Sequence, residues 1–144
     1  MSTIKSIIQY VMLVALLLNM FLLHLSHALI GTAARYSAPY IPTTCYGSDQ
    51  SEFPENRQFA AAGDGIWNNG AACGTQYQIT CISAPPPSKC LPGVVQVTVV
   101  DRASSVTSRA SSPGAALVLS TDAFSQLVSP SSANFINVSY RQVS

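Results

Sequence analysis

Histidine is almost absent from this chain, and the two that exist, His24 and His27, both fall inside a segment patterned as a removable leader. Met1-Ser-Thr-Ile-Lys5 supplies one positive charge, and Val11-Met-Leu-Val-Ala-Leu-Leu-Leu18 with Met20-Phe-Leu-Leu23 supplies an apolar core. Ser26-His-Ala28 then puts small residues at the first and third places before a break, as a signal peptidase requires. Cleavage is expected after Ala28, making 1–28 a signal peptide and 29–144 the domain. The competing reading is an uncleaved membrane anchor, because Ile7 to Leu25 approaches the roughly 20 residues that span a bilayer. Gln9, Asn19 and His24 interrupt that run, and no cluster of positive charges follows it.

Loss of the leader removes every imidazole, and with it the usual component of general acid–base catalysis near neutral pH, of Ser-His and Cys-His nucleophiles and of most zinc sites. Charge is scarce too, at 9% of residues. Lys5 leaves with the leader, so six basic side chains face six acidic ones and the formal charge is zero. That balance gives no electrostatic case for nucleic acid, or for a membrane surface after cleavage. Cys45, Cys73, Cys81 and Cys90 remain, without the paired spacing of metal ligands, so no metal and no cofactor is expected. An even count in a small exported chain implies two bridges with three possible connectivities. Each contributes on the order of 2–4 kcal/mol, chiefly by restricting the unfolded chain.

What is present is β-forming. Val95, Val97 and Val99 alternate with Gln96 and Thr98 in 93–101, with apolar Val100 next. Tyr77, Ile79 and Cys81 share a face in 76–82, and Ile136, Val138 and Tyr140 share one in 135–140, with Asn137 and Ser139 outward. Shorter strands are expected over 31–36 and 115–119. One helix is expected over 121–128, capped by Ser120, with Asp122 near its positive end and Ala123, Phe124 and Leu127 on one face. The segments 37–72, 84–88 and 103–114 read as loops.

Thr43-Thr-Cys-Tyr-Gly47, Gly65-Ile-Trp-Asn-Asn-Gly-Ala-Ala-Cys-Gly74, Tyr77-Gln-Ile-Thr-Cys81, Val97-Thr-Val-Val-Asp-Arg102 and Leu119-Ser-Thr-Asp-Ala-Phe124 follow one another in this order. Together they resemble the plant natriuretic peptides, also called EG45-like domain-containing proteins, which are relatives of barwin and of the N-terminal expansin domain. The resemblance covers 31–143. It implies a mainly β fold, a six-stranded double-psi β-barrel with one short helix, and bridges Cys45–Cys73 and Cys81–Cys90. A third bridge of many relatives has no cysteines here, so 103–114 is expected to be looser than in them.

Lytic barrels that this chain resembles carry two acids in a sugar-binding groove, one to protonate the leaving oxygen and one to manage the developing positive charge. Asp101 matches the first. The second belongs to a His-Phe-Asp-Leu-Ser motif that reads Ala116-Leu-Val-Leu-Ser120 here, so Val118 stands where the acid would be. Asp122 is explained by helix capping and the dipole instead. No catalytic residue is therefore expected, and Asp101 has a plain reading as a structural acceptor beside Arg102.

Flat rings stack on sugars, which makes Tyr36, Tyr40, Tyr46, Trp67 and Tyr77 binding candidates, set against core packing as the commoner use of aromatics in a small barrel. Tyr36, Tyr46, Trp67 and Asp101 are the binding residues expected. Trp67 lies in turn chemistry that favours the surface; its alternative is a lid on the barrel end over the Cys45–Cys73 bridge. Asn137-Val-Ser139 fits the N-glycosylation sequon on an outward face, against a chance match inside a strand. The resemblance implies a secreted, apoplastic, monomeric, non-catalytic signalling protein acting on water and ion balance through a cell-surface receptor, with signalling carried by 39–81. The alternatives are a non-lytic module on cell-wall polysaccharide and a barwin-like defence protein.

Overall fold

A computed structural model describes residues 2–23, 27–103 and 114–144. Ser26 of the expected cleavage motif and most of the expected loose loop, 104–113, lie outside the described residues. Helix α1 (Ser2–Leu23) keeps its described side chains exposed and is, by length and composition, apolar enough to cross a membrane, as the core of a leader also is.

The remaining elements in chain order are β1 (Leu29–Tyr36), β2 (Phe59–Ala62), α2 (Asp64–Trp67), β3 (Gln76–Ser83), β4 (Lys89–Cys90), β5 (Val95–Arg102), β6 (Leu117–Ser120), α3 (Thr121–Ser125), β7 (Val128–Ser129) and β8 (Phe135–Gln142). Six strands close into a barrel in the order β1-β6-β2-β5-β3-β8, with β1–β6 and β2–β5 parallel, and β4–β7 forms a small separate sheet. The barrel expected from the resemblance is the one observed. Its interior takes one side of each alternating strand: Val95, Val97 and Val99, Tyr77 and Ile79, Ile136 and Val138, Leu117 and Leu119. Phe124 and Leu127 join this core from α3 and the turn after it. Each large side chain removed from water there contributes about 1.5–3 kcal/mol.

A second apolar layer lies on the outer face, where Ala34, Tyr36, Phe59, Ala61, Val100 and Val118 pack beneath Tyr40, Tyr46 and Phe53 of the segment 37–58. Covered on both sides, β2 and β6 are buried at every position. That explains two departures from the sequence reading. Phe59-Ala-Ala-Ala62 shows no alternation and lies within what reads as a loop, yet it is a barrel strand, followed at once by α2. The helix expected over 121–128 ends at Ser125, because Val128 instead pairs with Cys90 across β4–β7. The cap on α3 is as expected, Ala123 N–H donating to Ser120 Oγ at 3.2 Å.

The bridges are Cys45–Cys73 and Cys81–Cys90, the pairing that the resemblance implies. The first staples the covering segment 37–58 to the turn after α2. Beside it, Thr43 and Gly47 exchange backbone hydrogen bonds of 2.8 and 2.9 Å, which turns Tyr46 back toward the barrel.

Candidate functional site

Strand β5 carries an irregularity where it pairs with β2. Ala60 faces Val99 but Ala61 faces Asp101, so Val100 is an extra residue. A bulge of this kind resets which face the following side chains occupy. Val99 points into the barrel, whereas Val100 belongs to the outer layer. Asp101 follows it on that outer side. Ala61 also pairs with Val118, and Val118 with Ala34, so one row across the outer face reads Ala34, Val118, Ala61, Asp101. With strands about 4.8 Å apart, positions 118 and 101 stand roughly 10 Å apart. That is the neighbourhood of the carboxyl separation of an inverting glycosidase, roughly 6.5–9.5 Å. The row holds one acid, and the position two strands away from it is a buried valine.

Asp101 is 2% exposed. Its Oδ1 accepts the N–H of Thr44 and that of Arg102, both at 2.8 Å, so it anchors the covering segment to the end of β5 just before Cys45. Its Oδ2 is buried with no hydrogen-bond partner among the described residues. Tyr36 Oη, also buried, lacks a partner among them as well. The Tyr36 ring stands edge-on to Tyr40 with centroids 5.0 Å apart. Buried against Tyr40 and Phe59, it presents no open face for a sugar. Burial pushes the Tyr36 hydroxyl well above the usual tyrosine range, with the Asp101 carboxylate and Tyr40 adding to the shift.

A pH dependence follows. The folded state holds Tyr36 protonated, so this group's contribution to stability is complete below the ordinary tyrosine pKa of about 10 and declines above it, by up to about 1.4 kcal/mol per pH unit. Tyr46 and Tyr77 shift in the same direction, chiefly through burial. Tyr36→Phe is therefore expected to flatten part of the alkaline loss, and at pH 7 to leave stability unchanged or raise it, since the hydroxyl it removes has no partner. Urea unfolding at pH 8 and pH 11 checks this; equal slopes for the two proteins would refute it.

Trp67 ends α2 and is half-buried, packing against the main core. The Arg102 guanidinium lies over its ring at 5.7 Å and reaches Asp64 at 3.4 Å. Tyr46 is also half-buried, and its Oη would stand 3.2 Å from a Cβ placed on Gly74. Asp101, Arg102, Tyr46 and Trp67 thus gather where β5 ends, around the Cys45–Cys73 bridge. Tyr36 lies beneath them, and Tyr77 is elsewhere, beside Tyr140 with centroids 6.2 Å apart. Asp122 is exposed in the first turn of α3, outside the row of Asp101.

Next to this rim the outer layer opens into a cleft of about 560 Å3 lined by Tyr40, Phe53, Phe59, Glu55 and Arg57 among others. Tyr40 is fixed there by Thr121, its Oη lying 3.0 Å from Thr121 Oγ1. Phe53 and Phe59, 4.8 Å apart, are not among the sequence candidates. The signal that could find them is their spacing of six residues around Pro54 and Arg57 in a segment otherwise poor in large apolar side chains.

Residues 60–140 match the lytic transglycolase family. The chain is 33% identical over 120 residues to an EG45-like domain containing protein of Citrus jambhiri, covering 81% of this chain and 83% of that one. It is 35% identical over 123 residues to the putative EG45-like domain containing protein 1 of Arabidopsis thaliana, covering 83% and 88%. Among solved structures, an expansin of Clavibacter michiganensis, determined as a variant in complex with cellohexaose, superimposes with a TM-score of 0.59 at 25% identity. The match covers 82% of this chain and 51% of the expansin, so this chain spans about half of that protein's length.

Proposed function

Because the chain belongs to the lytic transglycolase family of barrels, on its EG45-like, expansin-related side, we propose that it is an exported, non-catalytic binding protein whose ligand is cell-wall polysaccharide. The observation that carries the reading is the row Ala34, Val118, Ala61, Asp101: it keeps one carboxylate and puts a valine where its mate would stand. A single carboxylate, buried and already accepting two backbone N–H groups, cannot supply both a proton donor and a base. Support for the ligand class comes from the related expansin solved with cellohexaose. Support for export comes from the leader pattern and the two bridges, which persist in oxidising compartments.

On this reading polysaccharide lies along the rim formed by Tyr46, Arg102 and Trp67. Retention of the secreted protein on insoluble β-glucan is expected to be saturable. Trp67→Ala weakens it about tenfold, the worth of one ring contact, and no reducing sugar is released. Unchanged retention would remove Trp67 from the site, and sugar release abolished by Asp101→Asn would show an enzyme.

A second reading is natriuretic signalling in water and ion balance through a cell-surface receptor. What favours it is that 37–58 is held on the outside of the barrel by the Cys45–Cys73 bridge, leaving much of the segment 39–81 exposed. Partition of the protein between wall polysaccharide and plasma-membrane fractions, with a protoplast swelling assay, separates the two.

A further inference from the structure

Among the described residues, no other element seals the face of β8 opposite the barrel core. Along it Phe135 and Asn137 both point outward, two residues apart and therefore on one side of the strand. Asn137 pairs in register with Thr32 of β1 and Ser83 of β3, so it stands in the middle of a three-stranded surface. Its direct cross-strand neighbours are polar, and large apolar side chains stand one step further along the face on either side. Phe135 is 51% exposed, and Ile30, which pairs with Ser139, is 78% exposed. Two large apolar side chains thus flank one exposed amide in the sequence Asn137-Val-Ser139.

We propose that Asn137 is N-glycosylated and that the first sugar of the glycan packs on Phe135, covering the Phe135 end of this face. The inference rests on the export proposed above. The acceptor is Nδ2 of Asn137 and the donor a lipid-linked oligosaccharide pyrophosphate. A bond forms between Nδ2 and the anomeric carbon, the bond from that carbon to the phosphate oxygen breaks, the lipid pyrophosphate leaves, and Nδ2 loses one proton. Transfer takes place on the extended chain before β8 pairs, so the later ladder does not block it. In the folded barrel Asn137 Nδ2 donates to Ser83 Oγ at 2.8 Å. The modified amide keeps one N–H, so this bond and the glycan are compatible, and Ser83 fixes the direction in which the sugar leaves the sheet. An aromatic ring two residues before the asparagine then lies under the apolar face of the first sugar, where ring and sugar stack.

The test is translation of the full chain with secretory microsomes. The expected product is protease-protected, has lost its leader and carries an upward gel shift that endoglycosidase and Asn137→Gln both abolish. A protected, processed, unshifted chain overturns the glycan while leaving export standing; an unprotected chain overturns export and the glycan with it. The packing has its own readout. Glycosylated protein is expected to melt about 3 °C above the Asn137→Gln form, and Phe135→Ser is expected to erase that difference. A shift that survives Phe135→Ser, with Ile30→Ser as the control on the far side of Asn137, refutes the stacking.

Discussion

Val118→Asp, the substitution that would restore the second acid of the row, is expected to cost about 3–5 kcal/mol at pH 7 without producing a hydrolase. Val118 is 1% exposed. Its lateral neighbours in the sheet are Ala34 and Ala61, neither of which offers a side-chain donor, and it shares one buried layer with Tyr36, Phe59 and Val100 beneath Tyr40, Tyr46 and Phe53. A carboxylate placed there loses its hydration with at most the Tyr36 hydroxyl in its layer to answer it, and Asp101 two strands away adds repulsion. The site would respond by holding the new group protonated. Since the folded pKa is then raised, the deficit against the parent protein is largest above that value and narrows as pH falls toward the unfolded value of about 3.9. Urea unfolding of both proteins at pH 7 and pH 4 measures it. A variant that keeps parental stability at pH 7 would mean that position 118 is open to water, and the case against an acid pair would then rest on the absent carboxylate alone.

The same row separates the features that the amino-acid pattern displays from those it conceals. The alternation in β5 and β8 is a period of two over half-buried strands, and there the sequence reading and the barrel agree. Strand β2 is concealed because Phe59-Ala-Ala-Ala62 is covered on both faces, so no polar position marks the pleat, and alanine carries little strand preference. The bulge does leave a trace: Val99-Val100-Asp101 breaks the alternation, and the break is what turns Asp101 to the outer side. Asp101 and Val118 are singled out in the sequence by the resemblance to lytic barrels alone, and the register places them two strands apart in one row. The burial of Tyr36 is not, because it depends on Tyr40 and Phe59, brought over it by the path of 37–58, and long-range packing of a loop leaves no period in the sequence. For the same reason no period marks Phe53 and Phe59, although they build the cleft wall beside the rim.

Gly63→Ala is expected to destabilise the protein by on the order of 4 kcal/mol, a large effect for a single methyl group. The backbone there has φ −68° and ψ 171°, which alanine adopts freely, so conformational freedom is not the reason for glycine. The reason is contact. A Cβ on Gly63 would collide with the carbonyl oxygen of Ala115 and lie 2.9 Å from that of Ala116, both backbone atoms. Neither can rotate away. Gly63 N–H donates to Ala116 O at 2.9 Å, and Ala116 N–H donates in turn to Thr32 O at 2.9 Å, so yielding at one place pulls on the β1–β6–β2 seam. The displacement would also reach the rim, because Gly63 O accepts the N–H groups of Ile66 and Trp67 at 3.0 and 2.9 Å and so sets where α2 begins. Loss of stability and loss of polysaccharide retention are therefore expected together. Gly65→Ala is the matched control: a Cβ there meets nothing within 4 Å, and in a helix it is expected to be neutral or to stabilise by up to about 1 kcal/mol. Urea unfolding of the two variants side by side decides the matter, since a Gly63→Ala protein within about 1 kcal/mol of the parent would show that the seam can open to admit a methyl group and that Trp67 is not held through it.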